Sequence, residues 1–186
     1  MSNVLVVYAT DYGSTKKMAE VIAAGAQDEG AVVVVKAAEE ATAEDFLAAD
    51  AVVFGSPVHM GGPDWRIKKL IDTVTSGLWM KDALSGRVGA IFATGSNFGG
   101  AGGGAELTML SMMNNLAELG MVLVPFPKHT PGYRDGGLQW GAYAQTHDKD
   151  MQPQGANEAQ LAAARHHGAN IAKVAALTAG KLSFAK

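Results

Sequence analysis

"ATDYGSTKKMAEVI", residues 9–22, follows directly on the apolar run Val4–Val7 and leads into a helical pattern. Met18, Val21, Ile22, Gly25 and Ala26 recur at the i, i+3, i+4, i+7, i+8 spacing of an amphipathic helix. A second apolar run, Val32–Val35, comes next, so the stretch predicts a βαβ unit. Between strand and helix, Thr10, Ser14 and Thr15 supply hydroxyls, Gly13 allows a tight turn, and the helix start supplies free N–H groups. These are the parts of an anion site. Ser14 is followed three positions on by Lys17, and Thr15 by Met18, so neither begins a capping box. Lys16 and Lys17 also occupy a first turn in which the helix dipole disfavours cations, a penalty that a bound phosphate would reverse. The competing reading is an ordinary polar turn with Ser14 as its N-cap.

These two runs, Val4–Val7 and Val32–Val35, and three further ones, Ala51–Phe54, Val88–Ala93 and Met121–Val124, lack polar alternation, as strands of a parallel sheet buried on both faces do. Helices are expected at about 44–49, 64–74, 105–119 and 158–177, the third of these stopping at Gly120 and the last opening with Asn157 and Gln160. Strands alternating with helices predict a doubly wound α/β sheet with helices on both faces, whose ligand sites lie beyond the carboxyl ends of the strands. A length of 186 residues with no evident linker suits one domain over 1–186. The stretch 125–157, rich in Gly, Pro, Tyr and Trp, is long for a connection and is expected to cover the site or a partner subunit.

Composition narrows the chemistry. A net charge of -3 without a block of like charges gives no footprint for nucleic acid. The absence of cysteine excludes a disulfide scaffold, a thiolate zinc site, an iron–sulfur cluster and thiol catalysis, so redox chemistry would come from a cofactor. No leader pattern and no apolar run near the ~18 residues of a membrane span are seen, and the expected compartment is the cytoplasm. No G-x-S-x-G turn and no His–carboxylate pairing are evident, and no metal site is expected.

Two more turns fall on the same sheet edge: Gly55-Ser56-Pro57-Val58-His59-Met60-Gly61-Gly62-Pro63, and the glycine-rich run Thr94 to Gly104. So much glycine implies that backbone approaches a flat or charged ligand closely. A phosphate cradle and two flanking loops describe a mononucleotide site. In this order the three loops resemble the flavodoxin-like fold, a five-stranded parallel sheet of order 2-1-3-4-5. The motifs "YATDYGST", "FGSPVHMG", "SGLW", "GGGAE", "LGMVLVP" and "GGLQWGA" resemble, over nearly the whole chain, the WrbA-like NAD(P)H:quinone oxidoreductases. That resemblance implies FMN, electrons from NADH or NADPH, and two-electron reduction of a quinone by a ping-pong reaction in which both substrates share one slot.

Carried over residue by residue, the resemblance assigns Thr10, Tyr12, Gly13, Ser14 and Thr15 to the phosphate loop. Pro57, Val58, His59, Met60 and Gly61 match the segment beside the ring and ribityl chain, and Thr94, Gly95, Ser96 and Asn97 the loop at the pyrimidine edge. Trp79 and Phe98 match the substrate pocket, and His59 is the one candidate catalytic group. The sequence also departs from the family: His59 stands where arginine is common, Leu119 where an active-site histidine is common, and the third loop is longer. The insertion after the second strand, which helps build the family's tetramer, is absent, leaving only about 36–50; a homodimer or higher homo-oligomer is still expected.

Two other readings stay open. A flavodoxin-type electron carrier would use the same phosphate loop, though with an acidic rim for docking basic partners, whereas here Asp64 is the acid near the ring. A flavin-free dinucleotide enzyme would use Gly100 to Ala105 as a G-x-G-x-x-G/A fingerprint, but that run follows the fourth strand instead of the first. His166 and His167 read as a solvated helix surface, His129 and His147 receive no role, and Trp140 and Tyr143 read as core or subunit packing.

Overall fold

The computed structural model describes residues 1–97, 102–182 and 184. In chain order the elements are β1 (Asn3–Tyr8), α1 (Ser14–Asp28), β2 (Val32–Ala37), α2 (Ala43–Ala48), β3 (Ala51–His59), β4 (Gly62–Pro63) and α3 (Trp65–Leu70). A π-helical segment, Ile71–Thr75, joins α3 to α4 (Ser76–Trp79). There follow β5 (Val88–Gly95), α5 (Ala105–Glu118), β6 (Val122–Leu123), α6 (Tyr133–Gly136), β7 (Gly137–Leu138), β8 (Gly141–Gln145) and α7 (Glu158–Thr178).

Parallel pairing gives the order β2-β1-β3-β5, and the fifth position is shared. β6 lies beside Val88 and Gly89, while β8 runs parallel to Ile91–Gly95. Counted as two halves of one strand, they complete the expected 2-1-3-4-5 order. The fifth strand is therefore not the continuous run Met121–Val124: residues 124–140 loop out of its middle, and its second half lies inside the stretch read as irregular. The hydrophobic signal there is weak because Gly141, Ala142 and Ala144 are small, and smallness is what the position needs. A Cβ on Gly141 would sit 2.1 Å from the Ile91 carbonyl oxygen.

Successive residues of the central strands feed two opposite cores, as the two-residue period of a strand requires. Leu5, Val7, Phe54 and Ile91 pack with Phe46 of α2, Ile67 of α3 and Met109, Met112 and Leu116 of α5. Val4, Val6, Val53 and Phe92 pack with Met18 and Ile22 of α1 and with Ala164, Ile171 and Ala175 of α7. β1, β3 and β5 are thus buried on both faces as expected. β2 is not: it is the edge strand, and Val32 and Val34 are 50% and 44% exposed. α1 and α7 meet backbone to backbone, since a Cβ on Gly25 would lie 1.9 Å from the Arg165 carbonyl oxygen and one on Gly168 2.0 Å from that of Ile22.

Local signals set the helix ends. Asn157 Oδ1 accepts from Gln160 N at 2.9 Å and Gln160 Oε1 from Asn157 N at 3.0 Å, a capping box that starts α7. Among the described residues no helix is long and apolar enough to cross a membrane.

His167 corrects the reading of the histidine pair. It is fully buried, its Nε2 lies 3.2 Å from the Ile91 carbonyl oxygen, and its ring packs edge-on against Phe126. Burial pushes it down from 6.5 to about 4, against the hydrogen bond to Ile91. Above pH 6.5 the ring is neutral in both folded and unfolded chains; as pH falls toward 4, the unfolded chain takes up a proton that the folded one refuses. Stability should therefore decline by roughly 3 kcal/mol across that window. His167→Gln, which cannot titrate, should flatten this acid limb when denaturant midpoints are compared between pH 7 and 4.

Candidate functional site

The turns after β1, β3 and β5 converge on one edge of the sheet. At the first, Gly13 takes φ 85° as the residue before α1, a left-handed conformation suited to glycine. Its N–H donates to Thr10 Oγ1 at 3.0 Å, and the helix ladder begins with Lys17 N donating to Gly13 O at 2.9 Å. Among the described residues no side chain caps α1, so Ser14 is its first residue and not its cap, and the N–H groups of the first turn are open to a ligand. Thr15 is buried, and its hydroxyl lies 2.8 Å from that of Thr94, tying the first loop to the end of β5.

In the second loop Met60 and Gly61, at φ 49° and 80°, turn β3 back onto β4. Ser56 Oγ accepts from Asp64 N at 2.8 Å. Asp64 is almost wholly buried and caps α3, its Oδ1 accepting from Arg66 N at 2.8 Å. The Arg66 guanidinium reaches both oxygens of Asp64 at 2.8 Å, Asp11 Oδ1 at 2.6 Å and the Thr10 carbonyl at 3.2 Å. His59 completes the group, with Nδ1 2.9 Å from Asp64 Oδ2 and Nε2 3.4 Å from Asp11 Oδ2. Burial alone would raise the Asp64 carboxyl, but the hydrogen bonds and charge of Arg66 hold it below its ordinary value. The same carboxylates push the guanidinium of Arg66 up.

In the third loop Thr94 and Gly95 end β5, and Asn97 takes φ 55° with its buried Oδ1 unpartnered among the described residues. A Cβ on Gly95 would lie 2.9 Å from Tyr143 Oη, and one on Gly104 2.6 Å from Gly61 Cα, so the second and third loops touch through bare backbone. Burial and the Glu106 carboxylate push Tyr143 up to about 12.

These loops wall a cavity of about 300 Å³. Thr10, Tyr12, Ser14, Thr15, Pro57, Val58, His59, Thr94, Gly95 and Ser96 line it. Of the other residues singled out from the sequence, Gly13, Met60 and Gly61 shape the turns from outside the wall, and Asn97 lines a neighbouring cavity. Phe98 lies outside the described residues. Trp79 lines a different cavity, with Leu119, because it closes α4 about 20 Å along the helical rod from Asp64.

Sequence reasoning missed several wall residues. Asp11, Thr146, His147 and Met151 all line the cavity, the last three from the loop after β8. The His147 ring stands edge-on to Tyr12 at 6.4 Å. Nor is a His–carboxylate pairing absent: His59 faces two carboxylates. Asp64 just before a helix, two residues ahead of Arg66, was the legible signal, an N-cap with a local cation.

The donor set fits a phosphorylated flat ligand: an uncapped helix start with hydroxyls for the phosphate, and glycine-lined loops against which a planar ring can lie. Sheet order, loops and cavity together define a flavodoxin-like nucleotide-binding protein. A model of the flavodoxin domain matches residues 5–100. An NAD(P)H dehydrogenase (quinone) of Paraburkholderia phymatum is 35% identical, over 95% of this chain and 98% of the relative. A flavodoxin of Aquifex aeolicus is 41% identical over 66% of this chain and 64% of its own. The crystal structure of a flavodoxin, WrbA-like protein from Agrobacterium tumefaciens superposes with a TM-score of 0.71 at 28% identity, over 96% of this chain and 99% of that one. The chain belongs to the flavodoxin-domain family.

Ser14 tests the site with the least structural disturbance, being half-buried, whereas Thr15 is buried against Thr94. Ser14→Ala should weaken binding of a phosphorylated flavin by about tenfold or more, the worth of one hydrogen bond to an anion, with ligand-free thermal stability little changed. Fluorescence titration alongside a melting curve checks both.

Proposed function

We propose that this chain is an FMN-dependent NAD(P)H:quinone oxidoreductase. The observation that carries the reading is the uncapped start of α1 opening on a cavity that the turns after β1, β3 and β5 wall together. Full-length likeness to relatives named NAD(P)H dehydrogenase (quinone) supports the activity. A bound flavin would supply the redox chemistry between NADH or NADPH and a quinone.

The chain binds and orients. The first-turn N–H groups, Ser14 and Thr10 hold the phosphate; Pro57 and Val58 give the ring an apolar wall; Gly95 and its neighbours leave room for the ring edge. His59 is held from both sides, Nδ1 at Asp64 and Nε2 at Asp11, so its ring presents one fixed surface to the cavity. Residues 1–186 act as one flavin-binding unit in this reading, and the cytoplasm, where NADH and NADPH are made, is the proposed compartment. Exposed Trp65 and Leu107 give a homo-oligomer a place to bury apolar surface.

The electron-carrier alternative is less well supported, because the cavity wall carries a single acid among its described residues, Asp11, and that acid is ion-paired. An anaerobic visible spectrum of the FMN-saturated protein separates the two. NADH or NADPH should bleach the flavin band and benzoquinone should restore it. Reduction by dithionite but by neither nucleotide would assign the carrier instead.

A further inference from the structure

Asp11 is out of place in a phosphate loop. Its carboxylate lines the cavity within two residues of Gly13, where an anionic ligand would meet the start of α1, and like charges there repel. Both of its oxygens are nevertheless engaged by side chains of the second loop and α3. Oδ1 accepts from Arg66 Nη2 at 2.6 Å, and Oδ2 lies 3.4 Å from His59 Nε2. Arg66 in turn is fixed by the fork it makes on buried Asp64 and by its bond to the Thr10 carbonyl, and it is absent from the cavity wall.

We propose that Arg66 is the residue that gives this site its preference for a phosphorylated flavin: without touching the ligand, it neutralises Asp11 and pins the phosphate loop to α3. The proposal rests on the flavin-site reading above and deepens it. Asp64 is the anchor that orients the guanidinium, and the Asp11, Arg66, Asp64 and His59 side chains close a ring of polar contacts between the first and second loops. A dianionic ligand senses that ring through Asp11; a flavin without phosphate does not. Arg66 is thus a positioning residue, and the property it controls is the ratio of FMN to riboflavin affinity.

The test is a pair of fluorescence titrations, FMN and riboflavin, on the full chain freed of flavin. Arg66→Met should weaken FMN on the order of 10- to 100-fold while riboflavin changes by about threefold or less, as expected for exposing one uncompensated charge to a dianion. Adding Asp11→Asn to Arg66→Met should restore most of the FMN affinity, because the charge that needed compensation is gone. Equal losses for both flavins, or no recovery in the double variant, would overturn the proposal and leave Arg66 a packing residue. Should Arg66→Met fail to fold because Asp64 remains buried and unpaired, the same comparison is made in an Asp64→Asn background, with and without Asp11→Asn, and the same outcomes decide. Wild-type protein that binds neither flavin would instead overturn the flavin site itself, a result distinct from any of these.

Discussion

Burial of β1, β3 and β5 on both faces constrains everything else in this molecule. Strands with no solvated face need helices on both sides, and parallel strands need a crossover to return to the same end of the sheet. Each crossover must begin at a carboxyl end, so the turns after β1, β3 and β5 gather on a single edge whatever their sequences. The helices that cover the sheet then fix how those turns open. α1 is pressed against α7 at Gly25 and Gly168 with no side chain between them, which sets the position of the α1 start on the edge of the sheet.

On that edge, the site joins two kinds of order. Hydrogen bonds from backbone N–H to side chains set the first two loops individually, Gly13 N to Thr10 Oγ1 and Asp64 N to Ser56 Oγ, and the Thr15–Thr94 hydroxyl pair ties the first loop to the end of β5. The ion pairs of Arg66 with Asp11 and Asp64, and the contacts of His59 with the same two carboxylates, set them relative to one another. A buried carboxylate such as Asp64 is costly unless paired, and here the pairing doubles as a strut between loops. The cavity keeps a wall with one compensated acid, which suits a protein that admits soluble substrates more than one that docks basic redox partners.

The βαβ opening, the stripe on α1, the caps of α7 and the glycine stop of α5 were legible because each is a local signal repeated over several residues. The second half of the fifth strand was not, since Gly141, Ala142 and Ala144 carry little hydrophobicity and earn their place only by fitting against Ile91 and α7. His167 was misread for a related reason: adjacent residues on a helix face different ways, and only the packing of α7 decides which of His166 and His167 meets the sheet. The role of β2 as an exposed edge strand, too, depends on which neighbours it lacks.

By itself, then, the sequence determined the fold class, the strand-end loops and the candidate phosphate turn, because these follow from periodicity and from turn chemistry over a few consecutive residues. The tertiary structure alone decided the split fifth strand, the buried histidine, the placing of Trp79 in a separate cavity, and the arrival of His147 and Met151 at the site. It also assembled the ring of Asp11, Arg66, Asp64 and His59, in which Asp11 and Arg66 stand 55 residues apart along the chain. Contacts of that kind leave no periodic trace, since what selects them is the geometry of two loops brought together by the sheet.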